Sequence, residues 1–120
     1  MEVFNVDLPL GAEVRGLDLR KPLSGAAVHA LRSVLHSRGV VVIRGQELTP
    51  MQQIELGKYF GEPEEHLLRE FLLPGYPEIW VVSNVIENGR KIGIDAGKEW
   101  HTDLSYMKNP TYVSILCALE

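Results

Sequence analysis

Between Ser24 and Gly39 the apolar residues Ala27, Val28, Leu31, Val34 and Leu35 recur at helical spacing, with Ser24 placed as N-cap and Gly39 where a helix stops. The pattern before this helix is extended. Val3 to Val6 and Ala12 to Leu19 read as short strands, the second because Val14 and Leu17 interleave with Glu13, Arg15 and Asp18. Gly16 interrupts that alternation and predicts a bulge. After the helix, Val40, Val41, Val42 and Ile43 run without a polar break, the pattern of a strand buried on both faces. Thr49-Pro50-Met51-Gln52 then opens a second helix, with Thr49 as N-cap, Pro50 at the first helical position and Gln52 closing a capping box; it runs to Phe60, before Gly61.

The second half is strand-like. Glu78 to Asn84 reads as a strand, and Asn88-Gly89 is a two-residue hairpin signal joining it to Lys91-Ile92. A loop with Gly93 and Gly97 leads to Trp100-His101-Thr102-Asp103, and after Asn109-Pro110 a last strand covers Tyr112 to Leu119. That strand ends without a turn or polar stop, so its edge needs cover from further chain or from a second copy in a homo-oligomer. Helices before strands, with little sign of alternating crossovers, predict an α+β fold with a largely antiparallel sheet, incomplete at residue 120. No repeat, low-complexity tract or linker divides residues 1–120, which predicts one domain.

Composition narrows the class. With 120 residues, 45% hydrophobic and 23% charged, the chain can bury a core, which excludes a disordered segment. Twelve Lys and Arg against sixteen Asp and Glu give a net charge of −4, so neither nucleic acid nor an anionic membrane surface is an expected partner. The single cysteine, Cys117, cannot close an internal disulfide, and it is read as a small hydrophobe in a reducing compartment. No window approaches the roughly 18 apolar residues of a membrane span. The opening MEVFNVDLPLG lacks the basic and apolar regions of a signal peptide, so the expected location is the cytoplasm.

The chemistry-bearing residues centre on His101 and Asp103. Two residues apart in extended backbone, an imidazole and a carboxylate share one face and can converge on a metal ion. Two histidines and one carboxylate on one face of an octahedron leave three positions open, the arrangement of non-haem Fe(II) oxygenases. His-x-Asp supplies two of the three, although surface ion pairs and turn caps satisfy the bare pattern equally. Its surroundings are more specific. Trp100-His101-Thr102-Asp103-Leu104-Ser105-Tyr106 with Asn109-Pro110 resembles the metal-binding segment of the taurine dioxygenase and aryloxyacetate dioxygenase family of Fe(II)- and 2-oxoglutarate-dependent oxygenases. Gly11 to Leu19 with Pro22-Leu23-Ser24, Gly39 to Arg44 with Leu48-Thr49-Pro50, Phe60-Gly61-Glu62, and Val82-Ser83-Asn84-Val85 to Asn88-Gly89 carry the resemblance along nearly the whole chain.

The resemblance implies the N-terminal portion of a double-stranded β-helix, or jelly roll, with flanking helices. In it His101 and Asp103 match the first histidine and the carboxylate of the metal triad. It also implies Fe(II), with 2-oxoglutarate and O₂ as co-substrates: the oxoacid is decarboxylated to succinate and CO₂ while a small, anionic organic substrate is hydroxylated. The family's distal histidine and its 2-oxoglutarate-binding arginine match nothing in this chain, so residues 1–120 are expected to be inactive alone. His66 matches a substrate-contacting histidine of the family's taurine-oxidising members; read from its neighbours alone it is equally an exposed loop histidine beside Glu64 and Glu65. Arg69 and Gly97 stand where those members have tyrosine and asparagine, so their substrate does not carry over.

Tyr106 either bounds a substrate cavity or satisfies a buried backbone group. Trp100 is expected to pack as a core anchor and Asn84 to cap a strand end. His29 and His36 are read as solvated helix residues. Two other classes of function remain open: a binding module or remnant of the same fold without oxygen chemistry, and a hydrolytic zinc site built from His101, Asp103 and His66.

Overall fold

Strand β1 (Glu2–Asn5) lies antiparallel to β2 (Ala12–Arg15), with Glu2 opposite Arg15, Val3 opposite Val14 and Phe4 opposite Glu13. The computed structural model describes residues 1–5, 7–65, 69–94 and 96–119. Alternation along β2 sends Ala12 and Val14, each 1% exposed, into the core and puts Glu13 and Arg15 on the other face. There the Arg15 guanidinium donates to Glu13 at 2.6 Å and lies 4.4 Å from the centre of the Phe4 ring.

Helix α1 (Gly25–Arg38) begins where the sequence places it. Ser24 Oγ accepts from the Ala27 N–H at 3.2 Å, and the Gly39 N–H donates to the Leu35 carbonyl at 2.7 Å to close the last turn. The helix packs on β2 and on β3 (Val41–Val42) and buries Leu31, a side chain whose removal from water contributes about 2 kcal/mol. Strand β3 is parallel to β2, with Ala12 beside Val41 and Glu13 beside Val42. Strands lead the chain, which corrects the expected order of helices before strands. The sheet β1-β2-β3 is mixed, because α1 is the crossover that a parallel pair requires, while the other described ladders are antiparallel, in keeping with a largely antiparallel pairing.

The run Val40 to Ile43 is not buried on both faces: Val40 is 51% exposed and Val42 40%. Its strand is two residues long and pairs with β2 along one edge, and no strand pairs with the other edge among the described residues. Strand β2 likewise stops at Arg15, because Gly16 takes a positive φ of 75° and turns the chain instead of bulging within the ladder. Beyond the turn the Gln46 side chain ties the loop down, its oxygen accepting from the Leu19 N–H at 2.9 Å and its amide donating to the Leu17 carbonyl at 3.2 Å.

Contacts divide the chain into two compact units, Met1–Gln52 with Leu119, and Gln53–Ala118. Helix α2 (Pro50–Lys58) opens with the expected reciprocal cap, the Thr49 N–H donating to the Gln52 side chain at 2.9 Å and the Gln52 N–H to Thr49 Oγ1 at 3.3 Å. It ends at Lys58, two residues short of the expected Phe60, and buries Ile54 and Leu56.

In the second unit a single 3₁₀ turn (Arg69–Phe71) precedes β4 (Leu72–Leu73), which pairs antiparallel with β5 (Tyr76–Trp80). The strand expected at Glu78 to Asn84 therefore begins earlier and stops at Trp80, its pairing decided by a β4 too short to show in the pattern. Strands β6 (Ile86–Glu87) and β7 (Arg90–Lys91) flank Asn88 and Gly89, whose positive φ values of 50° and 76° make the expected two-residue turn; it joins this separate short pair and not the strand expected at Glu78 to Asn84. No strand forms over 112–119. Burial still alternates there, with Thr111, Val113, Ile115 and Cys117 half-buried and Tyr112, Ser114, Leu116 and Ala118 exposed, but no strand pairs with the segment among the described residues. No helix among the described residues is long and apolar enough to cross a membrane.

The last described pairing before the site is a parallel bridge between Val82 and Ile94, in which the Ser83 N–H donates to the Ile94 carbonyl at 3.0 Å and the Ile94 N–H to the Val81 carbonyl at 3.1 Å. Gly93 makes it passable: a Cβ there would stand 2.7 Å from the Val81 oxygen and 2.8 Å from the Ser83 nitrogen, both rigid backbone atoms. Gly93→Ala is therefore expected to destabilise the protein by about 2 kcal/mol in a denaturant midpoint measurement. A midpoint unchanged from wild type would contradict this packing.

In the first unit the Arg20 guanidinium, donating at 2.7 Å with Lys21 Nζ 3.3 Å away, holds the Asp18 carboxyl at about 2, below its ordinary 3.8, against the opposing effect of desolvation. Because the folded value is the lower one, this stabilisation is complete above the ordinary value and is lost as pH falls from there through about 2. Comparing acid unfolding of wild type and Asp18→Asn checks it: a difference at pH 6 that shrinks as pH falls through the range between 3.8 and about 2, and vanishes only below it, is expected.

Candidate metal centre

After the bridge the chain runs through Gly97 to His101 and turns immediately past Asp103. The Met107 N–H donates to the Leu104 carbonyl at 3.0 Å, and Leu104 takes a positive φ of 48°, a conformation that costs a leucine about 1 kcal/mol. The strain sits directly beside the His-x-Asp pair.

His101 Nδ1 lies 2.7 Å from the Glu99 carbonyl oxygen. A carbonyl only accepts, so Nδ1 carries the proton and donates, and the neutral ring is left with its lone pair on Nε2. Nε2 stands 3.4 Å from Asp103 Oδ1, longer than an ordinary hydrogen bond. Two donors each about 2.1 Å from one ion and about 100° apart are themselves about 3.2 Å apart, so the pair has the spacing of adjacent ligands. The other carboxylate oxygen, Oδ2, accepts from Ser114 Oγ at 2.5 Å, a distance characteristic of a hydroxyl donating to an ionised carboxylate. The side chains are 55% and 52% exposed, which leaves an ion and a co-substrate room to approach. One neutral nitrogen and one anionic oxygen suit a divalent ion such as Fe(II), Mn(II) or Zn(II). Among the described residues no group of three His, Cys, Asp or Glu gathers at one point, so the pair fits part of a ligand set.

The other candidates separate. Tyr106 lies in the same turn, 76% exposed. Trp100 is fully exposed, which overturns its expected role as a core anchor: it sits in a loop flanked by exposed residues, with no side chain of the described core over it. His66 lies outside the described residues, and with it the zinc set that needs it. His29 and His36 are exposed on α1 as expected, and Cys117 is half-buried. The cap expected of Asn84 is made by its neighbour, Ser83 Oγ accepting from the Val85 N–H at 3.1 Å. Two contributors escape the sequence reading. Glu99 acts through its backbone carbonyl, which no side-chain pattern reveals. Ser114 is eleven residues from Asp103, and its one signal is an outward position in an alternating segment.

The arrangement has a family. Residues 2–120 match the family model described as taurine catabolism dioxygenase TauD, TfdA family, and the chain belongs to that family. Enzymes of this family depend on Fe(II) and 2-oxoglutarate. The chain is 33% identical over 115 residues to pentalenolactone F synthase of Streptomyces arenae, covering 93% of this chain and 38% of that protein. It is 29% identical over 119 residues to the alpha-ketoglutarate-dependent 2,4-dichlorophenoxyacetate dioxygenase of Cupriavidus pinatubonensis, covering 90% and 42%. With the alpha-ketoglutarate-dependent sulfate ester dioxygenase of Pseudomonas putida the identity is 30% over 117 residues, covering 97% and 36%. The solved structure of a taurine dioxygenase from Burkholderia xenovorans superposes with a TM-score of 0.72 at 30% identity, over 91% of this chain and 36% of that one. The chain thus spans about two fifths of the length of the curated relatives it matches.

The hydrogen bond from His101 to Glu99 predicts one tautomer. In metal-free protein labelled with ¹⁵N histidine, long-range proton–nitrogen correlation at a pH where the ring is neutral is expected to show His101 protonated at Nδ1. Protonation at Nε2, the form favoured in free histidine, would contradict the geometry.

Proposed function

We propose that the full-length protein is an Fe(II)- and 2-oxoglutarate-dependent dioxygenase that hydroxylates a small, anionic organic substrate and releases succinate and CO₂. The observation that carries this reading is the 3.4 Å separation of His101 Nε2 and Asp103 Oδ1 with the imidazole proton held on the far side of the ring, in a chain that matches the family end to end. His101 and Asp103 are assigned as two of three protein ligands, set on a jelly roll of which residues 1–120 are the N-terminal part. The second histidine and the arginine that anchors the oxoacid are assigned to the stretch of the relatives' length beyond this chain's match. Residues 1–120 alone are then inactive.

When bound, the metal with 2-oxoglutarate activates O₂ for oxidation of a substrate C–H bond. The chain's own residues bind and orient. The Glu99 carbonyl accepts from Nδ1, so in the neutral ring the free lone pair is on Nε2, the nitrogen that faces Asp103. Asp103 brings one negative charge to a dication and keeps Oδ2 engaged with Ser114. Tyr106, exposed three residues beyond Asp103, and His66 are assigned to the substrate side. The anionic character of the substrate is supported by the relatives: 2,4-dichlorophenoxyacetate and sulfate esters, named in two of them, both carry an anionic head.

Anaerobic addition of Fe(II) and 2-oxoglutarate to the full-length protein is expected to give the weak visible charge-transfer band of a chelated oxoacid, followed by succinate on admission of O₂. His101→Ala and Asp103→Ala are each expected to abolish the band. Absence of both band and succinate from the wild type would overturn the proposal.

A further inference from the structure

We propose that Ser114 is a positioning residue for Asp103, holding the carboxylate so that one oxygen alone faces the metal; this rests on the assignment of Asp103 as a ligand. A carboxylate has two equivalent oxygens and rotates freely at its last torsion, so presenting Oδ1 to the His101 side requires that Oδ2 be occupied. The Ser114 hydroxyl occupies it at 2.5 Å, while Oδ1 stands 3.4 Å from His101 Nε2. The direction of this bond is settled by chemistry, because an ionised carboxylate only accepts and the hydroxyl has one hydrogen to donate.

The fold holds Ser114 in place from both sides. The turn closed between Leu104 and Met107 sends the chain back past Asp103. One residue beyond Ser114, the Ile115 carbonyl accepts from the Gln53 side chain of α2 at 3.2 Å, which fixes the backbone that carries the serine. Alternation along 111–118 then decides the side: Val113 and Ile115 are half-buried and Ser114 faces outward, toward the carboxylate. A one-residue shift in this segment would present Val113 or Ile115, neither of which has a hydrogen to give. With Oδ2 held, Asp103 fills one coordination position; with it released, the carboxylate can turn, and both the geometry and the affinity of the site suffer.

The test uses Mn(II), a divalent ion that does not react with O₂, added to full-length protein and followed by loss of the free Mn(II) electron paramagnetic resonance signal. Ser114→Ala is expected to weaken binding about tenfold, the lower end of what removing a group that orients a ligand costs. Ser114→Thr, which keeps the hydroxyl, is expected to bind as wild type does. The charge-transfer maximum of the anaerobic Fe(II) and 2-oxoglutarate complex should shift in Ser114→Ala and not in Ser114→Thr, a change that loss of packing alone would not produce. Wild-type Mn(II) affinity in Ser114→Ala, alongside lost binding in Asp103→Ala, would overturn this proposal and leave the metal assignment standing. Equal weakening in the alanine and threonine variants would also overturn it, since the hydroxyl would then not be the operative group. Wild-type affinity in Asp103→Ala would overturn the metal assignment itself.

Discussion

A hydrogen bond from an imidazole to a backbone carbonyl decides which of its two nitrogens can bind a metal, and here the acceptor is the carbonyl of Glu99, 2.7 Å from His101 Nδ1. The rest of the site depends on this choice. Were the proton on Nε2, the same 3.4 Å approach to Asp103 would be a long hydrogen bond between donor and carboxylate, and the pair would be a surface contact of little energetic weight. With the proton on Nδ1, two lone pairs face each other across a gap that neither side chain can close alone. A bare His-x-Asp pattern cannot distinguish these cases; a backbone oxygen two residues upstream does.

The pairing that precedes the site in the chain is a close backbone approach rather than a long sheet. The bridge from Val82 to Ile94 brings backbone within 2.7 Å of where a Gly93 side chain would begin, and seven residues later the chain presents His101. In the first unit the corresponding economy is α1, which packs on β2 and β3 and closes their parallel pair. Both units rely on short pairings set by single residues, and in both the large exposed apolar side chains are many, Trp100 and Leu116 in the second and Leu8 and Leu10 in the first.

The signals that were legible in the sequence are those that act over three or four residues. Ser24 and Gly39 bound α1 as their chemistry dictates, Thr49 and Gln52 exchange their hydrogen bonds, and Asn88-Gly89 turns the hairpin, because caps and turns are completed by atoms of neighbouring residues. Pairing between segments distant in the chain was not legible. The β-branched run at Val40 to Ile43 has the composition of a central strand, but burial on both faces needs neighbours the run does not encode. Residues 111–118 keep their alternation and still form no strand, since a ladder is a property of two segments. The same distinction divides the site: His101 and Asp103 were legible because they are adjacent, whereas Ser114 reaches Asp103 only through a turn whose residues carry no distinctive chemistry.

The exposure of the pair bears on how the site works. A ligand carboxylate that is half exposed interacts with a dication through a high local dielectric, so its charge contributes less than it would in a dry pocket. Two donors in such surroundings hold a metal weakly, and the difference must come from a third donor and from orientation fixed in advance. Orientation is what residues 98–114 provide: a carbonyl on one ring nitrogen, a hydroxyl on one carboxylate oxygen and a strained Leu104 between them. Under the proposed assignment, His101 and Asp103 contribute geometry fixed in advance, and the affinity depends on the further ligand.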